Sequence, residues 1–254
     1  MQHPVSARFE ELDFQPTPMG DLTLRRRTDS QLGVEIFEVK LGDEFLMSSL
    51  FTVAEEELAR LGLAAVRGDG DGDGDGDGDH GDHLEVLVGG LGLGYTAIAA
   101  LRDPRVSAMT VIDTLPAVID WHERGLLPVS SQLTSDPRTR LVLDDFFAVM
   151  RRAPTADGPS GVRYNAILLD VDHSPRHQLD PSHADLYTEA GLRAVALHLA
   201  EAGVFALWSD DPPDDEFVAT LTAVFDHVHA HVVDFANPLI GGTSSNTVYV
   251  AARR

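Results

Sequence analysis

The sequence contains no cysteine among its 254 residues. Disulfide bonds, thiolate nucleophiles and cysteine-ligated metals are therefore excluded. Lysine is almost as scarce, because Lys40 is the only one and the other basic residues are arginines. Acidic residues outnumber basic ones by 41 to 19, and the formal net charge is −22. A nucleic-acid-binding surface needs an excess of Lys and Arg to neutralise phosphates, so we expect no nucleic-acid partner.

Long apolar runs are also missing from the sequence. No stretch approaches the roughly 18 consecutive apolar residues that a membrane span needs. The first residues, MQHPVSARFEELDF, have neither the basic nor the apolar segment of a secretory signal. We therefore expect a soluble, cytoplasmic protein with no membrane partner.

The most conspicuous segment is GDGDGDGDGDGDHGD at residues 68–82, which supplies seven of the aspartates. Alternating aspartates resemble a calcium loop, but an EF-hand loop also needs a Glu at its twelfth position and flanking helices. Calcium-binding nonapeptide repeats need apolar residues inside each repeat. Because strict Gly-Asp alternation repels itself and cannot form a core, we predict a disordered linker and no metal site.

Apolar and polar residues alternate over residues 20–50, in DLTLRRR and in GVEIFEVKLGDEFLMSS. This spacing, with turn signals between the segments, predicts a small antiparallel β unit, which we assign to residues 1–51. A helix follows in EEELARLGL. Thr52 is expected to cap its first turn, and Glu55 is expected to complete a capping box.

Beyond the Gly-Asp run, strand patterns alternate with helix patterns. Apolar strands in LEVLVGG, SAMTVID, TRLVLDD, YNAILLD and VFALWSD are each followed by a helical segment, including a long one in DLYTEAGLRAVALHLAEAG. Two final strands, HVHAHVVDF and NTVYVAA, predict an antiparallel hairpin at one sheet edge. The pattern predicts an α/β fold with a doubly wound, mostly parallel, Rossmann-like sheet over residues 52–254.

Alternating glycines follow the first of these strands, in LEVLVGGLGLGYTA. In a doubly wound sheet, ligands bind at the carboxyl ends of the strands. Gly90, Gly92 and Gly94 would let the backbone approach a ligand closely, and the next helix offers free N–H groups. Two cofactor classes fit. The segment GLGYTA satisfies the dinucleotide pattern G-x-G-x-x-G/A, and the three glycines satisfy the G-x-G-x-G pattern of an adenosyl-sulfonium site.

Acids at the ends of the later strands favour the adenosyl sulfonium. Asp113 ends the second strand and could bind ribose hydroxyls with either cofactor. Asp144 and Asp145 end the third strand, where an adenine amino group needs an acceptor, although both could instead cap the next helix. Asp170 and Asp172 end the fourth strand, where a reacting group would lie. These acids also surround a cation with negative charge.

Taken together, these segments resemble the spermidine synthase family, the polyamine aminopropyltransferases. The shared order runs from TPMGDLTL through the glycine loop, VID, LDDFF, YNAILLDVDHSP and LYTEAGLRAV to HLAEAGVFAL. The resemblance implies a small N-terminal β domain joined to a class I methyltransferase-like Rossmann domain. It implies transfer of the aminopropyl group of decarboxylated S-adenosylmethionine to a polyamine, with methylthioadenosine as product. It also implies a role in polyamine biosynthesis and a homodimer.

By motif position, the resemblance implies that Asp145 binds adenine and that Asp170 is the catalytic acid or base. Asp172, two residues further on, is the second catalytic candidate. Other carboxylates would hold the remaining ammonium groups of a polyamine. The candidates for that binding role are Glu55, Asp210 and Asp211. The loop from Val171 to Pro181 is expected to be a lid, and its histidines 173 and 177, with histidine 183 beside it, are interpreted as solvated.

Several family motifs are altered in this sequence. Gly92 replaces the acid of the glycine loop, Val111 replaces the Glu of the second strand, and Ala54 and Glu55 replace a Tyr-Gln pair on the first helix. The Tyr expected near NPLIGG is absent. Two alternatives therefore stay open. One is a methyltransferase that uses S-adenosylmethionine, forms S-adenosylhomocysteine and has an unknown acceptor. The other is a non-catalytic, nucleoside-binding protein.

Overall fold

The computed structural model describes residues 9–17, 19–66, 83–154 and 163–253. The segment 68–82, for which we predict a disordered linker, lies outside the described residues. Within the described ranges, no helix is both long enough and apolar enough to cross a membrane.

The N-terminal part forms a four-stranded antiparallel sheet with the strand order β1-β2-β3-β4. The strands are β1 (Phe9–Thr17), β2 (Gly20–Thr28), β3 (Glu35–Leu41) and β4 (Glu44–Ser48). Leu22, Leu24 and Val39 point from β2 and β3 into the core, as their alternation predicts. Strand β1 was not predicted. Its large apolar residues, Phe9 and Phe14, are exposed, so no apolar face marks the strand in the sequence.

A seven-stranded sheet follows, with the order β10-β11-β9-β8-β5-β6-β7. Its strands are β5 (Leu84–Gly89), β6 (Val106–Asp113), β7 (Thr139–Leu143), β8 (Tyr164–Leu169), β9 (Leu199–Ser209), β10 (His227–Asn237) and β11 (Gly242–Ala252). Strands β5 to β9 are parallel, whereas β11 runs antiparallel to both β9 and β10. The predicted doubly wound α/β fold with an edge hairpin is thereby confirmed.

Helices cover both faces of this sheet. They are α1 (Val53–Ala65), α2 (Tyr95–Leu101), α3 (Pro116–Glu123), α4 (Ser130–Ser135), α5 (Phe146–Arg151), α6 (Glu189–His198) and α7 (Asp215–Thr222). Successive strand residues point to opposite faces. Val86 and Val88 therefore join a core cluster with α1 to α4 and the N-terminal sheet, while Leu87 joins a second cluster with α5 to α7.

In this part of the chain one predicted helix boundary was wrong, and one helix was not predicted. The helix predicted over residues 185–203 is shorter, because α6 ends at His198 and β9 begins at the next residue. Leu199 adopts an extended backbone and pairs with Tyr164 on β8, so tertiary pairing overrides the local helix propensity of HLAEA. Helix α4 was missed, because its sequence SSQLTS lacks an apolar stripe.

The described elements change from one sheet to the other between β4, which ends at Ser48, and α1, which begins at Val53. Helix α1 packs across β9 and β11 of the large sheet. The division of the chain into residues 1–51 and 52–254 stays a prediction.

Candidate active site

The glycine loop follows β5 and lies against the end of β8. Gly90, Gly92 and Gly94 all have positive φ angles, of 93°, 46° and 89°. A Cβ atom on Gly90 would lie 2.0 Å from the backbone oxygen of Asp170. A Cβ atom on Gly92 would lie 2.9 Å from Sδ of Met47. Only glycine fits such a close approach at a positive φ, so the loop lies directly against its neighbours.

Asp113 and His122 hold the glycine loop in place. The carboxylate of Asp113 accepts hydrogen bonds from the backbone N–H groups of Leu91 (3.0 Å) and Leu115 (2.8 Å). Burial raises the pKa of Asp113, and these N–H groups oppose the rise. His122 Nε2 lies 3.0 Å from the backbone oxygen of Gly92, and burial lowers the pKa of the ring, so the neutral imidazole donates this bond. The sequence analysis missed His122, because no local pattern marks it.

Two cavities meet beside this loop. One has a volume of about 360 Å³ and is called the aromatic cavity, because five aromatic side chains line it. The other has a volume of about 230 Å³ and is called the strand-end cavity, because residues at the ends of β6, β7 and β8 line it. Gly92, Met47 and Asp170 line both cavities, so Asp170 lies where they join.

The strand-end cavity contains two of the predicted cofactor-binding acids. Asp113 and Asp145 line it, together with Gly90 and Phe147. Asp145 also accepts a hydrogen bond from the backbone N–H of Ala148 (3.1 Å) and so caps α5. Asp145 therefore caps α5 and lines the cavity at the same time.

Asp144 lies outside both cavities. Its side chain accepts the backbone N–H of Asp145 and lies 3.8 Å from the guanidinium of Arg152. Of the two acids at the end of β7, Asp145 is therefore the one placed to contact a ligand, and Asp144 is placed to support it.

The aromatic cavity is assembled from segments that are far apart in the sequence. Its aromatic residues are Phe45, Phe51, Tyr95, Trp208 and Phe235, which come from β4, the segment before α1, α2, β9 and β10. The indole N–H of Trp208 is buried without a hydrogen-bond partner among the described residues. Carboxylic acids complete the wall, and the described residues that line either cavity include neither an arginine nor a lysine. Such a site suits an organic cation.

Asp170 follows β8 directly and is fixed by Thr96. The Thr96 hydroxyl donates a hydrogen bond of 2.6 Å to Oδ2 of Asp170. Burial raises the pKa of Asp170 to about 6, although this hydrogen bond favours the ionised form. A carboxylate with this pKa can accept a proton near neutral pH. Asp170 therefore lies at the end of β8, as predicted, and in the cavity wall.

Glu55 lies in the first turn of α1 and lines the aromatic cavity. The predicted capping box is therefore wrong. Thr52 makes no side-chain cap, and its hydroxyl instead lies 3.3 Å from Oε1 of Glu56. Burial and then the charge of Asp170 raise the pKa of Glu55 to about 8. An acid in this position faces the cavity rather than the end of its own helix.

Asp172 lies apart from Asp170, although two residues separate them. Its side chain is buried with 1% exposure and lines neither cavity. Its oxygens accept hydrogen bonds from Leu179 N–H (2.8 Å), Tyr187 hydroxyl (2.6 Å) and His183 Nδ1 (2.8 Å). Strand alternation would place two residues with this spacing on the same face, but β8 ends at Leu169 and the chain turns after it, so the two side chains diverge. The geometry gives Asp172 a positioning role in the loop rather than contact with substrate.

The two acids after β9 also separate. Asp210 lines the aromatic cavity, and its Oδ1 accepts a hydrogen bond of 2.7 Å from the amide of Asn246. Asp211 lines neither cavity and instead lies 3.1 Å from Nδ1 of His177. Of this pair, Asp210 is the one placed to contact a substrate.

The loop after β8 is tied down at several points. His173 Nε2 lies 3.1 Å from Glu44 of the N-terminal sheet, and its side chain lines the aromatic cavity. His183 stacks on Phe147 with 3.6 Å between ring centroids and lines the strand-end cavity. The interpretation as solvated is therefore wrong for His183, whose side chain is 14% exposed, whereas His173 keeps 33% of its side chain exposed. His177 is the exposed one, as expected.

The family motif places an acid at Val111, which lies inside β6, is buried with 1% exposure and lines neither cavity. Asp113, two residues further along the same strand, ends β6 and lines the strand-end cavity. In this chain Asp113 is therefore the acid of that motif that lines the site.

Among the residues that the structure describes, no group of three or more His, Asp or Glu side chains is arranged to hold a metal ion.

No known family model matches the chain. Sequence similarity to curated proteins covers about half of it. A polyamine aminopropyltransferase of Mycobacterium tuberculosis is 29% identical over 127 residues, which are 50% of this chain and 23% of that protein. Putrescine N-methyltransferase 3 of Nicotiana tabacum is 30% identical over 120 residues, which are 47% of this chain and 28% of that protein. The matched segments thus span about a quarter of the length of these relatives.

The fold is similar to solved structures over most of the chain. Spermidine synthase of Thermotoga maritima superposes with a TM-score of 0.67 and 18% identity, and the match covers 96% of this chain and 73% of that one. Human methyltransferase-like protein 13, solved in complex with SAH, gives a TM-score of 0.50 and 18% identity over 80% of each chain. The fold is thus similar to that of spermidine synthase, and about half of the sequence is similar to a polyamine aminopropyltransferase and to a putrescine N-methyltransferase, in agreement with the resemblance of its motifs.

Proposed function

We propose that the protein transfers the aminopropyl group of decarboxylated S-adenosylmethionine to a polyamine. The observation that supports this most is the meeting of the two cavities at Asp170. One cavity offers strand-end acids and a glycine loop for a nucleoside, and the other offers acids and aromatic faces for an amine. A base at the junction lies where donor and acceptor would react.

The strand-end cavity would hold the nucleoside part of the donor. Asp145 would accept a hydrogen bond from the adenine amino group, and Asp113 would bind the ribose hydroxyls. Gly90 and Gly92 would let the donor lie against the backbone. Phe147 and His183 form a stacked wall beside these groups. This arrangement supports an adenosyl-sulfonium donor rather than a dinucleotide, because two further acidic strand ends face the site.

Electrostatics favour the decarboxylated donor. The amino-acid carboxylate of S-adenosylmethionine would need a cationic or N–H partner, and the described lining residues include no arginine or lysine. Near Asp170, that carboxylate would instead meet Glu55 and Asp210, and like charges repel. The donor without the carboxylate avoids this repulsion.

The acceptor amine must be neutral to attack, although alkylamines are mostly ammonium ions at pH 7. Thr96 holds Oδ2 of Asp170, so we assign the amine proton to Oδ1. The new C–N bond forms as the bond between carbon and sulfonium sulfur breaks, and the electron pair stays on sulfur. Asp210 and Glu55 would hold further ammonium groups and so orient the amine.

Methyl transfer to an amine is the second candidate. The similarity to putrescine N-methyltransferase 3 supports it, since an acidic amine site would serve both reactions. The two functions differ in the donor. S-adenosylmethionine would have to place its carboxylate in the acidic region near Asp170, which is why we favour aminopropyl transfer.

Calorimetry with four ligands in parallel tests the proposal. Decarboxylated S-adenosylmethionine is expected to bind more tightly than S-adenosylmethionine, methylthioadenosine is expected to bind, and NAD is not. Equal or tighter binding of the carboxylated donor would favour methyl transfer. Binding of methylthioadenosine without either sulfonium would favour a non-catalytic nucleoside-binding protein, and binding of NAD alone would refute the adenosyl-sulfonium assignment.

A further inference from the structure

Glu55 and Asp170 bring two carboxyl groups to the same wall of the aromatic cavity. Thr96 connects the elements that carry them. Its hydroxyl donates to Oδ2 of Asp170 and lies 3.4 Å from the backbone oxygen of Glu55. The first turn of α1 is therefore held against the end of β8, and the charges of the two acids interact.

The side chains that line the cavity beside Glu55 carry no fixed positive charge. Tyr95 comes from α2, His173 from the loop after β8, and Asp210 from the end of β9. Glu56, in the same helical turn, adds further negative charge, although it pairs with Arg102 at 2.5 Å. The described residues of the cavity wall include no arginine or lysine. In the empty cavity, the repulsion between the two carboxyl groups is therefore relieved by protonation of one of them.

The titration of the pair agrees with this geometry. The pKa of Glu55 is raised to about 8 by burial and by Asp170, and burial raises the pKa of Asp170 to about 6. At pH 7 the pair accordingly holds one proton, mainly on Glu55. Glu57, two residues further along α1, faces away from the cavity and pairs with Arg60, so it offers a matched control.

We propose that Glu55 exchanges its proton for the acceptor. The carboxyl group of Glu55 loses its proton to solvent when an ammonium group of the acceptor enters the aromatic cavity. This inference rests on the proposed function in one respect, namely that the cation is the amine acceptor. The exchange is balanced: a carboxylic acid and an ammonium ion give a carboxylate paired with that ammonium ion, and one proton goes to the buffer. No covalent bond to carbon changes.

An ammonium group within about 4–6 Å favours the ionised carboxyl and so lowers its pKa. Between about pH 6 and pH 8, which are the pKa values of Asp170 and Glu55 in the empty cavity, a proton and the acceptor therefore compete for the carboxylate of Glu55. The affinity for an amine should rise about tenfold per pH unit from about pH 6.5 to 8 and then level off. At pH 7, close to one proton should be released for each amine bound.

The test is calorimetric titration of putrescine into the protein saturated with methylthioadenosine, at pH 6.5 to 8.5. Two buffers with different ionisation enthalpies at pH 7 measure the number of protons released. Wild type is expected to show the rise in affinity and the release of about one proton. Glu57→Gln is expected to match it. Glu55→Gln is expected to lose most of the rise and most of the release.

Three results would overturn the inference. They are a pH-independent affinity without proton release in the wild type, unchanged release in Glu55→Gln, and no binding of putrescine at any pH. The two-buffer measurement on the wild type can refute the inference even if Glu55→Gln does not fold. Putrescine binding with proton release but without group transfer would refute the proposed function and leave this inference standing.

Discussion

The strand-end cavity and the aromatic cavity share Asp170 but are built in different ways. The strand-end cavity takes its acids from residues at or just after the ends of parallel strands, such as Asp113 and Asp145. The aromatic cavity takes its wall from β4, α1, β9 and β10, which the fold brings together from distant parts of the sequence. Only the first of these walls is organised by the topology common to doubly wound sheets.

This difference separates what the fold provides from what the individual chain adds. The nucleoside side depends on a glycine loop and strand ends, which any sheet of this topology offers. The amine side depends on five aromatic residues and the buried pair Glu55 and Asp170. Changes in the strand-end cavity should therefore affect donor binding, and changes in the aromatic cavity should affect acceptor binding and turnover.

The largest effect is expected at the junction. Asp170→Asn keeps the shape and removes the base, so turnover should fall by about 10²–10⁴-fold while methylthioadenosine affinity changes little. Steady-state kinetics and calorimetry on the same sample measure both. Asp211→Asn, at a partly exposed acid that lines neither cavity, should leave turnover within about twofold. Full activity in Asp170→Asn would remove this residue as the base.

A smaller but still severe effect is expected from Gly90→Ala. The new Cβ atom would lie 2.0 Å from the backbone oxygen of Asp170, at a φ of 93°. The positive φ alone costs about 1–2 kcal/mol, and the displaced strand end adds to this. Urea unfolding should show a loss well above that of Gly125→Ala, which has a φ of 71° and no atom within 4 Å of the added Cβ. Equal losses in the two variants would show that the close approach at Gly90 is unimportant.

Asp172→Asn should destabilise the protein without acting on the chemistry directly. The side chain accepts three hydrogen bonds, and each buried donor left unsatisfied costs about 1–3 kcal/mol. Unfolding midpoints and limited proteolysis of the loop Val171–Pro181 measure this. Asp211→Asn, in contrast, removes only an exposed contact to His177 and should change stability by less than about 1 kcal/mol. A stable Asp172→Asn that has lost turnover would instead restore Asp172 as a catalytic residue.

Donor affinity should respond to Asp145. Loss of one charge-assisted hydrogen bond costs roughly 1.5–3 kcal/mol, so Asp145→Ala should weaken methylthioadenosine binding by about 10- to 100-fold. The residue also caps α5, so the substitution removes that cap as well. The affinity of the same variant for putrescine is the control, and it should change little. An unchanged nucleoside affinity in a folded variant would leave Asp145 as a helix cap alone.

A further effect concerns stability as a function of pH. The folded-state pKa of Glu55, about 8, lies above its ordinary value of 4.5, so the folded state binds the extra proton between these values. Its contribution to stability is therefore present at low pH and is lost as the pH rises toward 8. Glu55→Gln should gain thermal stability relative to wild type between pH 5 and 8, by about 2–4 °C for each kcal/mol. A constant difference in Tm across this range would show that Glu55 titrates normally.

Much of the fold could be predicted from the sequence, because apolar strands and amphipathic helices repeat regularly after residue 83. The strand-end residues Gly90, Asp113, Asp145 and Asp170 could also be found, since parallel strands bring their carboxyl ends to one edge. Strand β1 and helix α4 could not, because neither has a regular apolar face.

The roles of neighbouring acids could not be predicted in the same way. Asp170 and Asp172 look equivalent in the sequence, as do Asp210 and Asp211, yet one of each pair faces a cavity and the other does not. That choice depends on where the chain turns after its strand. Glu55 was expected both to cap α1 and to bind substrate, and the geometry of the first turn supports only the second role.

The most direct test of the central claim is a product analysis by mass spectrometry. The protein would be incubated with putrescine and decarboxylated S-adenosylmethionine, and in parallel with putrescine and S-adenosylmethionine. The account predicts equal amounts of methylthioadenosine and an amine heavier by one aminopropyl group in the first reaction, and no product in the second. Methylated amine and S-adenosylhomocysteine in the second reaction, with nothing in the first, would contradict it.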